Sequence, residues 1–219
     1  MDTTPYILNE FKALTLENTV KEAKQLFEES SFTHFPIVKN EQLIGLISEE
    51  SIKEIEENEK EIGYFQYLFS LFYIEKENDL LNLLGVFASN NTNLVPIIIE
   101  HNKYIGYFEI NDILQLYNET PFLKSEGVVI SLEKESRDYS FSQICQIIES
   151  NNAKIIGLFI SEINATTTKI TVKINSNEIN EILQSFRRYN YVVLSSHKED
   201  FYIEDLKERS IYLQKYLNI

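Results

Sequence analysis

Two pairs of polar side chains stand where they could bind a ligand. Ser48 and Ser51 form the first pair, Glu109 and Asp112 form the second, and each pair follows a short apolar run that contains a glycine. In each pair the first residue begins a predicted helix. The start of a helix exposes unpaired amide groups and a partial positive charge, which together suit a phosphate group. A hydroxyl at Ser48 is compatible with that chemistry, whereas a carboxylate at Glu109 would repel a phosphate.

The two pairs belong to an internal repeat. Residues 14–36 align without a gap with residues 74–96 at a constant offset of 60. After one inserted residue the match resumes at an offset of 61, where Leu43-Ile44-Gly45 meets Tyr104-Ile105-Gly106. Two copies are too few for a solenoid array. The repeat therefore predicts two small, similar modules that pack together.

Each copy predicts the element order β-α-β-β-α. Thr19 and Asp79 stand at the N-cap position before runs with helical apolar spacing, and Thr19 has Glu22 three residues on, which is the signature of a capping box. Two apolar runs separated by a polar turn follow in each copy and predict a strand pair. The final helices are expected to begin at Ser48 and Glu109. The residues expected to be buried by these final helices are Ile52, Ile55, Ile113, Leu114 and Tyr117.

This arrangement resembles a tandem pair of CBS (cystathionine-β-synthase) domains, or Bateman module, over about residues 5–120. The resemblance is carried by the segments from Phe35-Pro36-Ile37-Val38 to Ser51-Ile52 and from Val95-Pro96-Ile97-Ile98 to Asp112-Ile113. In that family a Gly-x-x-Thr/Ser-x-x-Asp pattern places a hydroxyl at a phosphate and a carboxylate at the ribose hydroxyls. The resemblance therefore implies an adenosyl ligand, such as AMP, ATP or S-adenosylmethionine, in a cleft between the copies. The residues that would line this cleft are Ser48, Ser51, Glu109, Asp112, His34, Phe35 and Val95.

The family pattern is split between the copies. The first copy has the hydroxyl, Ser48, but has Ser51 at the carboxylate position; the second has the carboxylate, Asp112, but has Glu109 at the hydroxyl position. Two like charges ~4 Å apart cost about 4 kcal/mol at an effective dielectric constant near 20, which would weaken phosphate binding by orders of magnitude. Three interpretations stay open. Asp112 could bind the ribose of an uncharged or cationic adenosyl compound while Glu109 binds an amine or sulfonium. Ser48 could hold a phosphate weakly. Otherwise both sites are vestigial, Ser48 and Glu109 simply begin helices, and the pair only dimerises.

The second half predicts a different module. Strands are expected at 127–132, 155–160, 169–174 and 191–194, with helices capped by Ser140 and Ser176. Cys145 is expected in the core, on the apolar face of the first of these helices. The resulting order, βαββαβ, is the ferredoxin-like arrangement. After a CBS pair, that order resembles an ACT domain, and the whole chain resembles the CBS–CBS–ACT proteins of the acetoin-utilisation type.

The ACT resemblance implies side-by-side pairing of two subunits and an amino acid bound at their interface. In the family, a glycine in the first strand–helix loop helps to bind the amino acid, but the predicted loop 133–139 has none. We therefore expect this domain to serve mainly as a dimerisation surface. The tail 200–219 predicts an amphipathic helix with Ile203, Leu206, Leu213 and Leu217 near one stripe, packed on its own domain or on a second subunit.

Charge also divides the chain. The 219 residues carry a formal net charge of −14, with 21 acidic and 8 basic side chains in residues 1–120 but 13 and 12 in residues 121–219. Such a field disfavours general binding to nucleic acids or anionic membranes. The expected fold is mixed α+β and α/β, with CBS domains at 1–60 and 61–120, an ACT-like domain at 121–198 and a C-terminal helix at 199–219.

Signals for an enzyme are poor. The three histidines, His34, His101 and His197, are far apart in sequence, and Cys145 has no neighbouring histidine. There is no P-loop, no dinucleotide-binding glycine motif and no secretory signal at the N-terminus. The sequence therefore predicts a non-catalytic, cytoplasmic regulatory homodimer. It would sense an adenosyl compound and signal to an unknown protein partner through dimer geometry; the alternative is a ligand-free interaction scaffold with degenerate CBS sites.

Overall fold

The computed structural model describes residues 3–176, 179–195 and 202–217. The chain divides into two compact units, Met1–Tyr117 and Asn118–Ile219. Each unit has its own sheet and its own hydrophobic core. Within the described ranges, no helix has both the length and the apolar character needed to cross a bilayer.

The described part of the first unit contains four α-helices, short 3-10 helices and a five-stranded sheet. Its elements are α1 (Val20–Glu28), β1 (His34–Lys39), β2 (Gln42–Ser48), α2 (Glu49–Lys53), a 3-10 helix (Ile62–Leu68), β3 (Ile74–Glu75), α3 (Leu80–Ser89), β4 (Leu94–Ile99), β5 (Lys103–Glu109) and α4 (Ile110–Asn118). The strand order is β1-β2-β5-β4-β3. The first strand expected in the first copy is reduced to one parallel bridge between Leu14 and Ile37, whereas its counterpart β3 pairs with β4 at Ile74 and Ile97. The repeated element order is otherwise confirmed.

The repeat extends to the hydrogen-bond register. Gly45 lies opposite Ile37, Gly106 lies opposite Ile97, and both strand pairs carry a register shift immediately after that isoleucine. The turn between β1 and β2 has two residues with positive φ, whereas three residues join β4 to β5. The one additional residue in the second turn is the insertion that changes the offset between the copies from 60 to 61.

The predicted helix caps in this unit are confirmed. The hydroxyl of Thr19 accepts a hydrogen bond from the Glu22 amide, and the Glu22 carboxylate accepts one from the Thr19 amide, which completes the capping box. Asp79 caps α3 by accepting from the Asn82 amide. These local bonds start α1 and α3 at equivalent positions of the two copies.

The two copies are interlocked through the segments that precede them. Leu8, upstream of the first copy, exchanges two backbone hydrogen bonds of 2.9 Å with Tyr107 on β5 of the second copy. Ser70, upstream of the second copy, exchanges bonds of 3.0 and 2.8 Å with Leu46 on β2 of the first. Since Leu46 and Tyr107 are equivalent in the repeat, each copy holds the segment that leads into the other.

Glycine is needed where these segments cross the sheet. A Cβ atom at Gly106 would lie 2.4 Å from the Leu8 carbonyl oxygen, and Gly106 has a φ of +150° that other residues rarely adopt. At the equivalent Gly45 the Ser70 carbonyl oxygen would be 3.0 Å away, and its φ is not in the left-handed region. The two crossings are therefore related but unequally tight.

A reciprocal pair of hydrogen bonds joins the copies at the starts of β1 and β4. The Thr33 amide donates to the side-chain oxygen of Asn93 at 2.9 Å, and the Asn93 amide donates to the Thr33 hydroxyl at 3.2 Å. Thr33 and Asn93 are equivalent residues at the offset of 60. Their carbonyl groups accept from the first amides of α2 and α4, at Glu49 and Ile110, so this one contact also positions both final helices.

Aromatic rings close the core between the copies. Phe32 makes edge-to-face contacts with Phe11, Phe35 and Tyr107 at centroid distances of 5.2 to 5.6 Å. Phe27 packs on Phe35 at 4.9 Å. Such pairs add about 0.5–1.5 kcal/mol each beyond the area they bury. Because Tyr107 belongs to the second copy and the others to the first copy or its leading segment, this cluster binds the two halves together.

The second unit has the predicted ferredoxin-like order. Its elements are α5 (Pro121–Lys124), β6 (Val128–Glu135), α6 (Phe141–Ser150), β7 (Lys154–Ile163), β8 (Thr167–Asn175), α7 (Asn180–Arg188), β9 (Val192–Val193) and α8 (Tyr202–Leu217). The antiparallel sheet has the order β7-β8-β6-β9. On β8, Ile170, Val172 and Ile174 are buried and alternate with more exposed residues. The predicted half-buried strand is therefore confirmed.

Several local predictions are wrong. Ser176 is not the N-cap of α7, which begins at Asn180 with Ile179 at that position. Cys145 is only half-buried, whereas Ile144, Ile147 and Ile148 on the same helix are buried. Leu114 is 47 % exposed although its helix neighbour Ile113 is buried.

The strand and tail boundaries also differ from those expected. The predicted loop 133–139 starts later, because β6 continues to Glu135. The tail is helical over Tyr202–Leu217, and its described side chains, which include Leu213, are exposed. The side chains of Ile203, Leu206 and Leu217 lie outside the described residues.

The close approaches at Gly106 and Gly45 predict that an added methyl group destabilises the protein more at Gly106 than at Gly45. We expect Gly106→Ala to lower the free energy of unfolding by about 1–3 kcal/mol, because it adds both a disfavoured φ and a steric clash. Gly45→Ala is the matched control and should cost less. Urea denaturation followed by circular dichroism measures both values, and an equal or larger loss in Gly45→Ala would contradict the described crossing.

Candidate functional site

Ser48 caps α2 and is already bonded. Its hydroxyl accepts from the Ser51 amide at 3.1 Å and donates to the Ser51 hydroxyl at 2.8 Å. The amide of Glu49 donates to the Thr33 carbonyl group. Two of the amides that the sequence suggested for a phosphate therefore have partners within the protein. The structure brings Ser48 and Ser51 together, and their arrangement satisfies the start of a short helix.

His34 lies beside this first pair. It is paired with Ser48 across β1 and β2, its Nδ1 atom lies 2.9 Å from the Thr33 hydroxyl, and its ring contacts Phe72 edge-to-face at 5.4 Å. Burial lowers the pKa of His34 below its ordinary value. The imidazole is therefore neutral at pH 7 and adds no positive charge for a phosphate.

Phe35 and Val95 lie in the hydrophobic core. Phe35 is 1 % exposed among Phe11, Phe27 and Phe32, and Val95 is fully buried. Neither side chain presents surface to a groove. Both were predicted to line the cleft; their side chains belong to the core under β1 and β4.

Glu109 and Asp112 belong to a group of three carboxylates, which we call the acidic cluster: Glu10, Glu109 and Asp112. Glu109 ends β5 and is half-buried, Asp112 lies in the first turn of α4, and Glu10 comes from the segment that leads into the first copy. Burial, and then the charges of Asp112 and Glu10, raise the pKa of Glu109. Asp112 and Glu10 are therefore close enough to Glu109 to disfavour its negative charge.

The hydroxyl of Tyr107 lies next to the acidic cluster. Tyr107 is 1 % exposed, and its hydroxyl oxygen lies close to the backbone amide of Phe11 without meeting the full geometry of a hydrogen bond. Burial and the carboxylates of Glu109, Glu10 and Asp112 raise the pKa of Tyr107 to about 12, while the Phe11 backbone acts in the opposite direction.

The negative charge of the acidic cluster suits an organic cation. No group of three or more histidine, cysteine or acidic residues within the described ranges is arranged to hold a metal ion. An amine or sulfonium placed between Glu109 and Asp112 would relieve their mutual repulsion. A phosphate in the same place would add to it.

Sequence reasoning missed Glu10, Tyr107 and Phe72. Glu10 and Phe72 lie on the two crossing segments, whose partners are set by long-range strand pairing. In the sequence, Tyr107 belongs to an apolar run that predicts a strand. Glu109 lies two residues further along this strand, and this spacing is the one signal that could have placed both side chains on the same face.

Four cavities with volumes of about 370 to 510 Å³ occur among the described residues. None of these four is lined by Ser48, Ser51, Glu109 or Asp112. One of them, of about 430 Å³, is lined by Thr33, Asn93 and Ile110, next to the start of α4. The acidic cluster itself is an open surface site, consistent with the exposure of Glu10.

The family model for the CBS domain matches residues 5–57, which hold the first copy of the repeat. The second copy is related to this stretch by the internal repeat and by its strand register. The chain is 24% identical over 143 residues to an uncharacterised protein of Methanocaldococcus jannaschii, covering 61% of this chain and 54% of that protein. It is 27% identical over 112 residues to the inosine-5'-monophosphate dehydrogenase of the same organism, covering 50% of this chain and 22% of the enzyme. The chain thus spans between about a fifth and about half of the length of these relatives.

Solved structures are similar over about half of the chain. A CBS domain pair/ACT domain protein of Thermotoga maritima has a TM-score of 0.48 and 16% identity, covering 54% of this chain and 98% of that one. The CBS domains of a transcriptional regulator of Streptococcus pneumoniae have a TM-score of 0.46 and 15% identity, covering 52% and 98%.

The pKa of Glu109 predicts a pH-dependent effect of Glu109→Gln. Because the folded state raises this pKa, the stabilisation is complete at low pH and is lost as the pH rises through the folded-state value. We expect Glu109→Gln to raise the melting temperature by a few degrees at pH 7 to 8. This gain should shrink as the pH falls through the raised pKa of Glu109 and vanish below 4.5, where Glu109 is neutral in the folded and in the unfolded state.

Differential scanning calorimetry between pH 4 and pH 8 measures this difference. Glu28→Gln is the control, since it removes the same charge from an exposed position on α1. A gain that is constant across this pH range, or that is matched by Glu28→Gln, would refute the interaction within the acidic cluster.

Proposed function

We propose that this chain is a non-catalytic regulatory protein whose CBS pair binds a positively charged adenosyl compound at the acidic cluster. The observation that carries the proposal is the half-buried Glu109, which lies beside the carboxylates of Asp112 and Glu10 and next to the hydroxyl of Tyr107. The repulsion that Asp112 and Glu10 exert on Glu109, and the relief of that repulsion by a bound cation, provide a source of binding energy.

The resemblance to CBS pairs assigns a role to each carboxylate. Asp112 stands at the position where the family binds the ribose hydroxyls, and Glu109 stands where the family has a hydroxyl for a phosphate. In this chain Glu109 would instead bind a sulfonium or amine. A compound such as S-adenosylmethionine carries all these groups, whereas AMP and ATP bring negative charge to Glu109.

Calorimetric titration of the full chain with a matched panel of adenosyl compounds tests this proposal. We expect S-adenosylmethionine to bind more tightly than methylthioadenosine, which lacks the charged groups, and ATP and AMP to bind most weakly. Glu109→Gln should weaken the binding of S-adenosylmethionine about tenfold or more, since hydrogen bonds to charged groups contribute about 1.5–3 kcal/mol. The same variant should leave the affinity for methylthioadenosine nearly unchanged.

Two outcomes would contradict this assignment. Tighter binding of ATP than of S-adenosylmethionine would show that the acidic cluster does not select the ligand. The absence of binding across the whole panel would favour the second candidate, a ligand-free scaffold. One observation favours that scaffold: the Ser48 hydroxyl and the first amides of α2 are already satisfied within the protein.

The proposed signal is a change in homodimer geometry, and α3 offers the surface for the dimer. The outer face of α3 carries Leu81, which is 69 % exposed, together with Leu84, Gly85 and Ala88. The equivalent positions on α1, at the offset of 60, are Lys21, Lys24, Gln25 and Glu28. The same backbone position is thus polar in one copy and apolar in the other, which supports a partner on α3. A ligand could shift such a dimer only by binding its two arrangements with different affinity.

Replacing residues of α3 by their first-copy equivalents tests the dimer. Leu81→Lys with Gly85→Gln alters two exposed positions, so the fold should be retained. We expect wild-type protein to have the mass of a dimer by light scattering at micromolar concentration, and the double variant to be a monomer. Tyr64→Lys, which changes a 73 % exposed side chain elsewhere in the unit, is the control and should stay dimeric. A wild-type monomer, or a dimer unaffected by the double variant, would refute this surface.

A further inference from the structure

The second unit has a polar groove between α6 and α7, which we call the α6–α7 groove. It has a volume of about 420 Å³. Its lining residues are Gln143, Gln146, Ile147, Ser150, Asn151, Ser185, Arg188 and Tyr189. Ligand sites for small molecules typically occupy about 300–1,000 Å³, so this groove is large enough for a compact metabolite. It lies in a different unit from the acidic cluster and is independent of the proposed adenosyl ligand.

Arg188 is an exposed residue at this groove, and one hydrogen bond orients its side chain. Its guanidinium donates to the Ser185 hydroxyl at 2.7 Å, and Ser185 is only 5 % exposed. One N–H group is therefore used to orient the side chain, and the remaining donors of the planar guanidinium stay available to a ligand. An anchored guanidinium loses less conformational freedom on binding than a mobile surface arginine.

Two glutamines add uncommitted hydrogen-bonding groups. Within the described part of the chain, the side-chain amides of Gln143 and Gln146 have no hydrogen-bond partner, whereas the Asn151 amide is bonded to the Ile147 carbonyl group at 2.7 Å. Each glutamine offers a donor and an acceptor. They suit a polar group that lies a few ångströms from the group bound by Arg188.

The charge of the lining selects an anion. The eight residues include one cation, Arg188, and no carboxylate, although the chain as a whole carries a net charge of −14. A planar guanidinium matches the geometry of a carboxylate through two parallel hydrogen bonds. Ile147 and Tyr189 supply an apolar wall for a short carbon chain.

We propose that the α6–α7 groove binds a compact carboxylate with a second polar group, of the size of a four- or five-carbon dicarboxylate. Arg188 holds the carboxylate, and Gln143 and Gln146 bind the second polar group. The second unit then has a ligand site of its own, separate from the CBS pair.

Titration of the isotopically labelled full chain with succinate, observed by nuclear magnetic resonance, tests this site. We expect saturable shifts of the side-chain amide signals of Gln143 and Gln146, identified by their loss in Gln143→Ala and Gln146→Ala. Succinamide, which has the same length but no charge, should bind about tenfold more weakly, because it loses the charge-assisted hydrogen bonds to Arg188. Inorganic phosphate should also bind more weakly than succinate.

Arg188→Gln should weaken the binding of succinate about tenfold or more. Arg187→Gln is the matched control, since it removes the same charge one residue away from a side chain that does not line the groove, and it should change affinity by less than about threefold. If Arg188→Gln fails to fold, Gln146→Ala at an exposed position replaces it, with an expected loss of several-fold. Absence of saturable shifts, equal losses in the two arginine variants, or tighter binding of phosphate or succinamide than of succinate would overturn the proposal.

Discussion

The structure depends on the exchange of backbone hydrogen bonds between each copy of the repeat and the segment that leads into the other. Leu8 pairs with Tyr107, and Ser70 pairs with Leu46. Neither copy can leave its place without breaking the pairing of the other, so the repeat forms one interlocked body. The same crossing brings Glu10 next to Glu109 and Asp112. The candidate site is therefore a product of long-range pairing.

Because the two copies have the same backbone fold, the residues at equivalent positions of the two copies can be compared directly. Equivalent positions carry Ser48 in one copy and Glu109 in the other, and Lys21 in one and Leu81 in the other. The backbone register, the strand bulges and the helix starts are preserved between the copies. What differs is charge and apolar exposure at the surface. The proposed ligand selectivity and subunit contact therefore depend on surface side chains, and the fold of the two copies is the same.

Much of this architecture could be predicted from the sequence, because its signals are local. The offset of 60 identified both copies, and the alternation of Ile170, Val172 and Ile174 identified a strand with one buried face. Local sequence signals gave wrong boundaries where more than one residue could serve as the start of a helix. Ser176 is a good capping residue, yet α7 starts at Asn180, since the buried Ile179, Ile182 and Leu183 set the position of the helix on the sheet.

The candidate site also combines residues that local sequence signals predicted with residues that they did not. Glu109 and Asp112 were predicted together, because their spacing places them at one helix start. Glu10 and the hydroxyl of Tyr107 were not, since only the crossing at Gly106 brings the leading segment to that strand. No short-range pattern reports which strand an upstream segment will join. Sequence therefore located two of the three carboxylates and left their surroundings undetermined.

Native-state hydrogen exchange tests the interlocked pair most directly. If the two copies form one cooperative body, the amides of Leu8, Leu46, Ser70 and Tyr107 should exchange with the same opening free energy and the same denaturant dependence as the buried strands β1 and β4. Separate opening free energies for the two copies, or rapid exchange at Leu8 and Ser70, would show that the copies are independent and would contradict the account of the site that the crossing builds.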